Sequence, residues 1–93
     1  WITPASDIAD PQKLGMKLWV GDDLMQDSST SRMIFTLAEQ ISHLSSCVTL
    51  YPGDVILTGT PAGVGAERGR FLRSGESVTL WIEGLGTFSH RVI

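Results

Sequence analysis

The chain has 93 residues, a net charge of -3 and a pI of about 5.1, with seven Lys and Arg that are scattered rather than clustered. Recognition of phosphate backbones needs concentrated positive charge, so nucleic acid is excluded as a main partner. Apolar residues make up 42% of the chain, as in a globular protein, but no apolar run is long enough to span a bilayer and no signal-peptide pattern is present, so a membrane is not expected either.

Residues 1–15 read as an irregular opening segment. Thr3-Pro4 and Asp10-Pro11 disfavour helix at the residue before each proline, and Ser6, Asp7 and Asp10 are turn formers. Met16 to Val20 suits a strand, Gly21-Asp22-Asp23 a hairpin turn, and Leu24 to Asp27 an antiparallel return. Ser28-Ser29-Thr30-Ser31 supplies possible helix N-caps. Beyond it Ile34, Leu37, Ile41, Leu44 and Val48 recur at helical spacing, which predicts one packed helix from about Ser31 to Ser46.

The pattern then changes to strands. Tyr51-Pro52-Gly53-Asp54 is a turn, and Val55 to Thr58 is expected as a short buried strand. Arg73-Ser74-Gly75-Glu76 is a second turn. Val78, Leu80 and Ile82 alternate with Thr79, Trp81 and Glu83, as in a strand with two unlike faces. Gly84-Leu85-Gly86 turns the chain so that Thr87 to Ile93 can pair back. The fold class is α+β, rich in β. Trp1 stands where an initiator methionine is absent, and both ends are apolar, so the chain is expected to be a piece of something longer.

Few residues carry chemistry. No Glu-x-Glu, His-x-x-x-His or Cys-x-x-Cys occurs, and Asp22-Asp23 is expected as a solvated hairpin tip, so no metal ligand is assigned. His43 and His90 are read as surface or edge residues without a carboxylate neighbour in sequence. Cys47, near the helix C-terminus, is read as a small packed thiol, and a single cysteine fits a reducing cytoplasm. The loop Gly59-Thr-Pro-Ala-Gly-Val-Gly65 lacks the Gly-Lys-Ser/Thr ending of a phosphate-binding loop and the spacing of a dinucleotide fingerprint. Either it is a tight turn leaving a strand, or it presents hydroxyls and backbone N–H groups to an anion. In the second case Thr60 is the best candidate for ligand contact, held between Gly59 and Pro61.

Gly53-Asp-Val-Ile-Leu-Thr-Gly-Thr-Pro-Ala-Gly-Val-Gly65 closely resembles a motif near the C-terminus of the fumarylacetoacetate hydrolase family. Asp10-Pro11-Gln12, Leu18-Trp-Val-Gly21, Gln26-Asp-Ser-Ser-Thr-Ser31, Met33-Ile-Phe35 and Ile82-Glu-Gly-Leu-Gly86 extend the resemblance over essentially the whole chain. It implies part of a mixed β-roll, with residues 1–93 as the C-terminal portion of a single catalytic domain. It also implies a homodimeric cytoplasmic enzyme that uses Mg²⁺ (or Mn²⁺ or Ca²⁺) to bind 2-oxo or 1,3-dioxo carboxylic acids for C–C hydrolysis, decarboxylation or enol–keto isomerisation.

In that family the metal sits on a Glu-x-Glu pair and an Asp with a Lys nearby, and a lid His and Glu move protons. All of them precede the segment that begins here. The resemblance carries over Thr60, as a hydrogen-bond donor to the substrate carboxylate, and Gly59, which shapes that contact. No catalytic and no metal-binding residue maps onto this segment, which alone is expected to be inactive. Gln26 and Arg32 also look family-like and are read as structural, since they border a helix start; Glu67 and Arg68 are given no role. The alternatives are ureidoglycolate lyase activity and a non-catalytic interaction module of the same fold.

Overall fold

The computed structural model describes residues 2–93; the expectation for Trp1 lies outside them. Four strands, β1 (Gly15–Val20), β2 (Asp23–Ser29), β3 (Ser77–Ile82) and β4 (Gly86–Arg91), form one antiparallel sheet in the order β2-β1-β3-β4. Two hairpins predicted from their turns thus join side by side through the β1–β3 pair, in which Met16 faces Ile82 and Val20 faces Val78. The β1–β2 turn is tight because Gly21 takes φ +58, open to glycine without a Cβ penalty.

β2 carries a bulge. Leu18 pairs with Gln26 and Trp19 with Leu24, which leaves Met25 as the extra residue. Met25 joins Val20 and Val78 as the buried hydrophobic side chains among the described residues, and Leu18 and Val92 pack against them. This core is small. The glycine loop closes its edge: a Cβ on Gly63 would collide with the Met25 carbonyl oxygen, and Gly63 has φ +106. Glycine is therefore required there on two grounds. A Cβ on Gly65 would likewise meet the Arg70 carbonyl oxygen.

The helix, α1, spans Leu37–Cys47 rather than beginning near Ser31. Its N-cap is Thr36, whose hydroxyl accepts from Glu39 N (3.2 Å) while Glu39 Oε2 accepts from Thr36 N (2.7 Å). This reciprocal box satisfies two backbone donors at once and outcompetes the serine run upstream. The Ser29 hydroxyl instead caps a single 3₁₀ turn at Thr30–Arg32. Ile34 consequently lies outside the helix and is 93% exposed. Within α1, Leu37 and Leu44 are half-buried and no residue is fully buried.

Two further expectations are corrected. Residues 55–58 form no strand, and Val55 and Leu57 are 82% and 92% exposed, because no described strand lies alongside to pair their backbone. Cys47 is exposed rather than packed, since the helix ends without a covering layer. The turns at Tyr51–Asp54 and Arg73–Glu76 form as expected. In each the acidic side chain accepts the backbone N–H of the turn's first residue: Tyr51 N donates to Asp54 and Arg73 N to Glu76, both at 2.7 Å.

Candidate functional site

The opening segment anchors one wall of the site. Asp10 caps a 3₁₀ turn at Pro11–Lys13 by accepting from Gln12 N (2.9 Å). The Gln12 side chain then spans three pieces of chain, donating to Thr30 O (2.6 Å) and the Met33 sulfur (3.2 Å) and accepting from Leu37 N (3.0 Å). Thr30 returns the tie, accepting from Leu14 N (2.9 Å) and donating to Pro11 O (2.8 Å). The turn carrying Arg32 is thereby fixed to both the sheet and the helix start.

The second wall is the glycine loop. Gln26, on β2 just past the bulge, donates through Nε2 to Thr60 Oγ1 (2.9 Å) and to Pro61 O (2.7 Å). The bond has a chemical consequence. With Thr60 Oγ1 accepting from Gln26, the threonine's own O–H is left to donate, the polarity a carboxylate needs. Gly59 has φ +92, which sets the direction in which Thr60 leaves the preceding chain, and the space beside its Cα is open.

Between the walls lies a cavity of about 550 Å³. Thr58, Gly59 and Thr60 line one part of it, and Thr30, Arg32 and Phe35 another. The two predicted site residues, Thr60 and Gly59, therefore share one hollow, and Gln26 supports the hydroxyl. Its structural reading holds, although what it supports is the candidate contact rather than the helix start. Arg32 differs. Among the described residues its side chain makes no ion pair or hydrogen bond, and it stands in the last position of the 3₁₀ turn at Thr30–Arg32.

Elsewhere among the described residues, ion pairs join Lys13 to Asp10, Lys17 to Asp27 and Arg70 to two carboxylates. Arg70 bridges Glu76 (3.0 Å) and Asp23 (3.5 Å), tying the end of the glycine loop to the sheet. His43 and His90 are exposed, and the His90 ring lies 5.6 Å from that of Phe88. Among the described residues no group of three or more His, Cys, Asp or Glu is placed to hold a metal ion. No helix among them is long and apolar enough to cross a membrane.

The sequence matches the fumarylacetoacetate (FAA) hydrolase C-terminal family over residues 1–93. The chain belongs to the fumarylacetoacetate hydrolase family. Maleylpyruvate hydrolase from Sphingobium sp. SYK-6 superposes with a TM-score of 0.91 at 39% identity, over 100% of this chain and 33% of its own. A second structure of that enzyme is a complex with manganese(II) and pyruvate. The 2-hydroxyhepta-2,4-diene-1,7-dioate isomerase of Mycobacterium marinum superposes at 0.81 with 38% identity, over 92% of this chain and 32% of its own. A Burkholderia lata protein named only provisionally as a hydrolase is 45% identical over 89 residues, 92% of this chain and 32% of that protein. The chain thus spans about a third of the length of the relatives it matches. The α+β, β-rich fold read from the sequence is the one these structures share.

Proposed function

We propose that residues 1–93 are the C-terminal portion of the catalytic domain of an enzyme acting on 2-oxo or 1,3-dioxo carboxylic acids, and that Thr60 binds the substrate's carboxylate. The observation that carries this reading is the Gln26–Thr60 hydrogen bond on the cavity wall, which leaves the threonine hydroxyl free to donate. The Sphingobium relative, a maleylpyruvate hydrolase captured with pyruvate, and the Mycobacterium relative, named for isomerisation of an unsaturated dioate, support the substrate class. Both reaction types stand at nearly equal identity to this chain, so C–C hydrolysis and isomerisation are equally served by its residues.

The parent protein is a homodimer that uses a divalent ion, Mg²⁺ or Mn²⁺ or Ca²⁺, held by carboxylates outside this segment; the manganese in the Sphingobium complex supports the class of ion. The share of this chain is to hold and orient the substrate carboxylate through Thr60, with Gly59 setting the backbone direction. On its own the segment is inactive.

The experiment is steady-state hydrolysis of acylpyruvates by the parent protein and its Thr60→Ala variant. Loss of one hydrogen bond to a charged acceptor is expected to lower kcat/KM by roughly 10- to 100-fold, with thermal midpoint and metal affinity preserved. Wild-type turnover by Thr60→Ala would show that the carboxylate lies elsewhere. Turnover by the isolated 93 residues would overturn their inactivity.

A further inference from the structure

Arg70 is the only arginine that makes an ion pair among the described residues, and it makes two. One nitrogen of its guanidinium lies 3.0 Å from Glu76, just before β3, and 3.5 Å from Asp23, at the start of β2. Arg70 and Glu76 are half-buried and Asp23 is exposed, and pairs of this kind add little to stability. Their placement is what matters. They fasten the far end of the glycine loop where the two hairpins meet, since Gly21 N donates to Ser77 O there (2.8 Å).

Near this fastening the loop is closed on itself. Arg70 N donates to Gly65 O (2.8 Å), Gly69 N to Ala66 O (3.2 Å) and Glu67 N to Val64 O (3.2 Å), so these residues bond to one another rather than to the sheet. Beneath them lies a second cavity of about 200 Å³, lined by Val64 of the loop and by Leu18, Val20 and Val78 of the sheet. A body that spans a void is located by its fastenings, because packing atoms are missing on one side. Between the fastenings stands Gly63, so close to the Met25 carbonyl that it admits no Cβ. Along the chain, Thr60 with its tie to Gln26 lies on one side of this pivot, and Arg70 with its two carboxylates on the other.

We propose that Arg70 is a positioning residue for Thr60. By fastening one arm of the glycine loop it fixes, across the Gly63 pivot, the place from which the threonine hydroxyl reaches the substrate carboxylate. The inference rests on the functional reading above and adds to it a residue that touches no substrate. Without the strap the loop tilts over the cavity. A shift that is small for the fold is large for a hydrogen bond, which weakens steeply with distance and angle.

The test measures KM and kcat for an acylpyruvate with the parent protein, Arg70→Met, Thr60→Ala and the double variant. Arg70→Met is expected to raise KM by roughly 3- to 10-fold with kcat little changed, because a misplaced carboxylate contact weakens ground and transition states alike. In the Thr60→Ala background the same substitution adds nothing, as it must if Arg70 acts through the hydroxyl. A purely structural role would instead lower the amount of active protein in both backgrounds and leave KM level. Arg70→Lys restores part of the wild-type KM. Should Arg70→Met fail to fold, Glu76→Gln takes its place: it keeps an oxygen for the Arg73 N–H and loses the charge that holds Arg70, and KM is expected to rise in the same way.

An unchanged KM in these strap variants, or the same multiple of KM with and without the Thr60 hydroxyl, overturns the proposal. A raised KM in Thr60→Ala beside an unchanged one in Arg70→Met removes the strap and keeps the functional reading. A wild-type KM in Thr60→Ala removes both. If the parent protein turns over no acylpyruvate, calorimetric affinity for pyruvate replaces KM in the same variants, with the same outcomes.

Discussion

At the scale of single residues, the site depends on a contact between β2 and the glycine loop. Gln26 is not a candidate for substrate contact; it is a positioning residue whose amide holds the Thr60 oxygen and the Pro61 carbonyl together. If it acts through Thr60, Gln26→Leu and Thr60→Ala should not be additive in the parent enzyme. Gln26→Leu alone is expected to raise KM for an acylpyruvate several-fold, and the double variant to be no worse than Thr60→Ala by itself. Steady-state kinetics of the four proteins decides this, and full additivity would mean that Gln26 only stabilises the fold. The sequence singles out Thr60 as a candidate because Gly59 and Pro61 confine it. It does not reveal the support, since Gln26 lies 34 positions away and the contact exists only after the Met25 bulge has set the register.

At the scale of elements, the helix shows where periodicity and capping compete. The apolar spacing from Ile34 to Val48 located the helix but not its bounds: Ile34 and Val48 lie outside it and are exposed, and the chain becomes helical only after Thr36, because Thr36 and Glu39 close a capping box. Periodicity reports a possible face and not the point at which backbone donors find partners. The box also carries a pH dependence. Hydrogen bonds from the Thr36 backbone N–H and then from its hydroxyl hold the Glu39 carboxyl below its ordinary range. A carboxylate whose pKa is lowered by folding adds stability above its unfolded pKa, and that stability is lost as pH falls through the lowered folded value. Helix content and thermal midpoint are therefore expected to decline below the usual carboxylate range, and Glu39→Gln should flatten the decline. Circular dichroism between neutral and acid pH measures both. An identical acid transition in Glu39→Gln would assign the dependence to other carboxylates.

At the scale of the whole molecule, the hairpins were readable because glycine turns and strand alternation are local, whereas the β1–β3 pairing that joins them spans some sixty residues and left no local trace. The failed strand at Val55–Thr58 has the same origin: its sequence has the composition of a buried strand, but no described neighbour pairs with it. The totals agree. The chain exposes 7185 Å², about 1,900 Å² more than a self-contained protein of its mass. Its radius of gyration is 15.2 Å, against about 12 Å for a compact domain of this length. We infer that the excess is covered in the parent domain, with Val55 and Leu57 inside it. Leu57→Ser then separates two contexts. In the isolated segment, where Leu57 is 92% exposed, it should leave the thermal midpoint unchanged. In the parent protein the same substitution should cost about 1.5–3 kcal/mol, the value of burying a leucine side chain, read from denaturant unfolding. Equal, small effects in both would mean that residues 55–58 stay at the surface of the full-length enzyme, and the covering layer would have to be sought over Phe71 and Leu72, 72% and 53% exposed at the far end of the glycine loop.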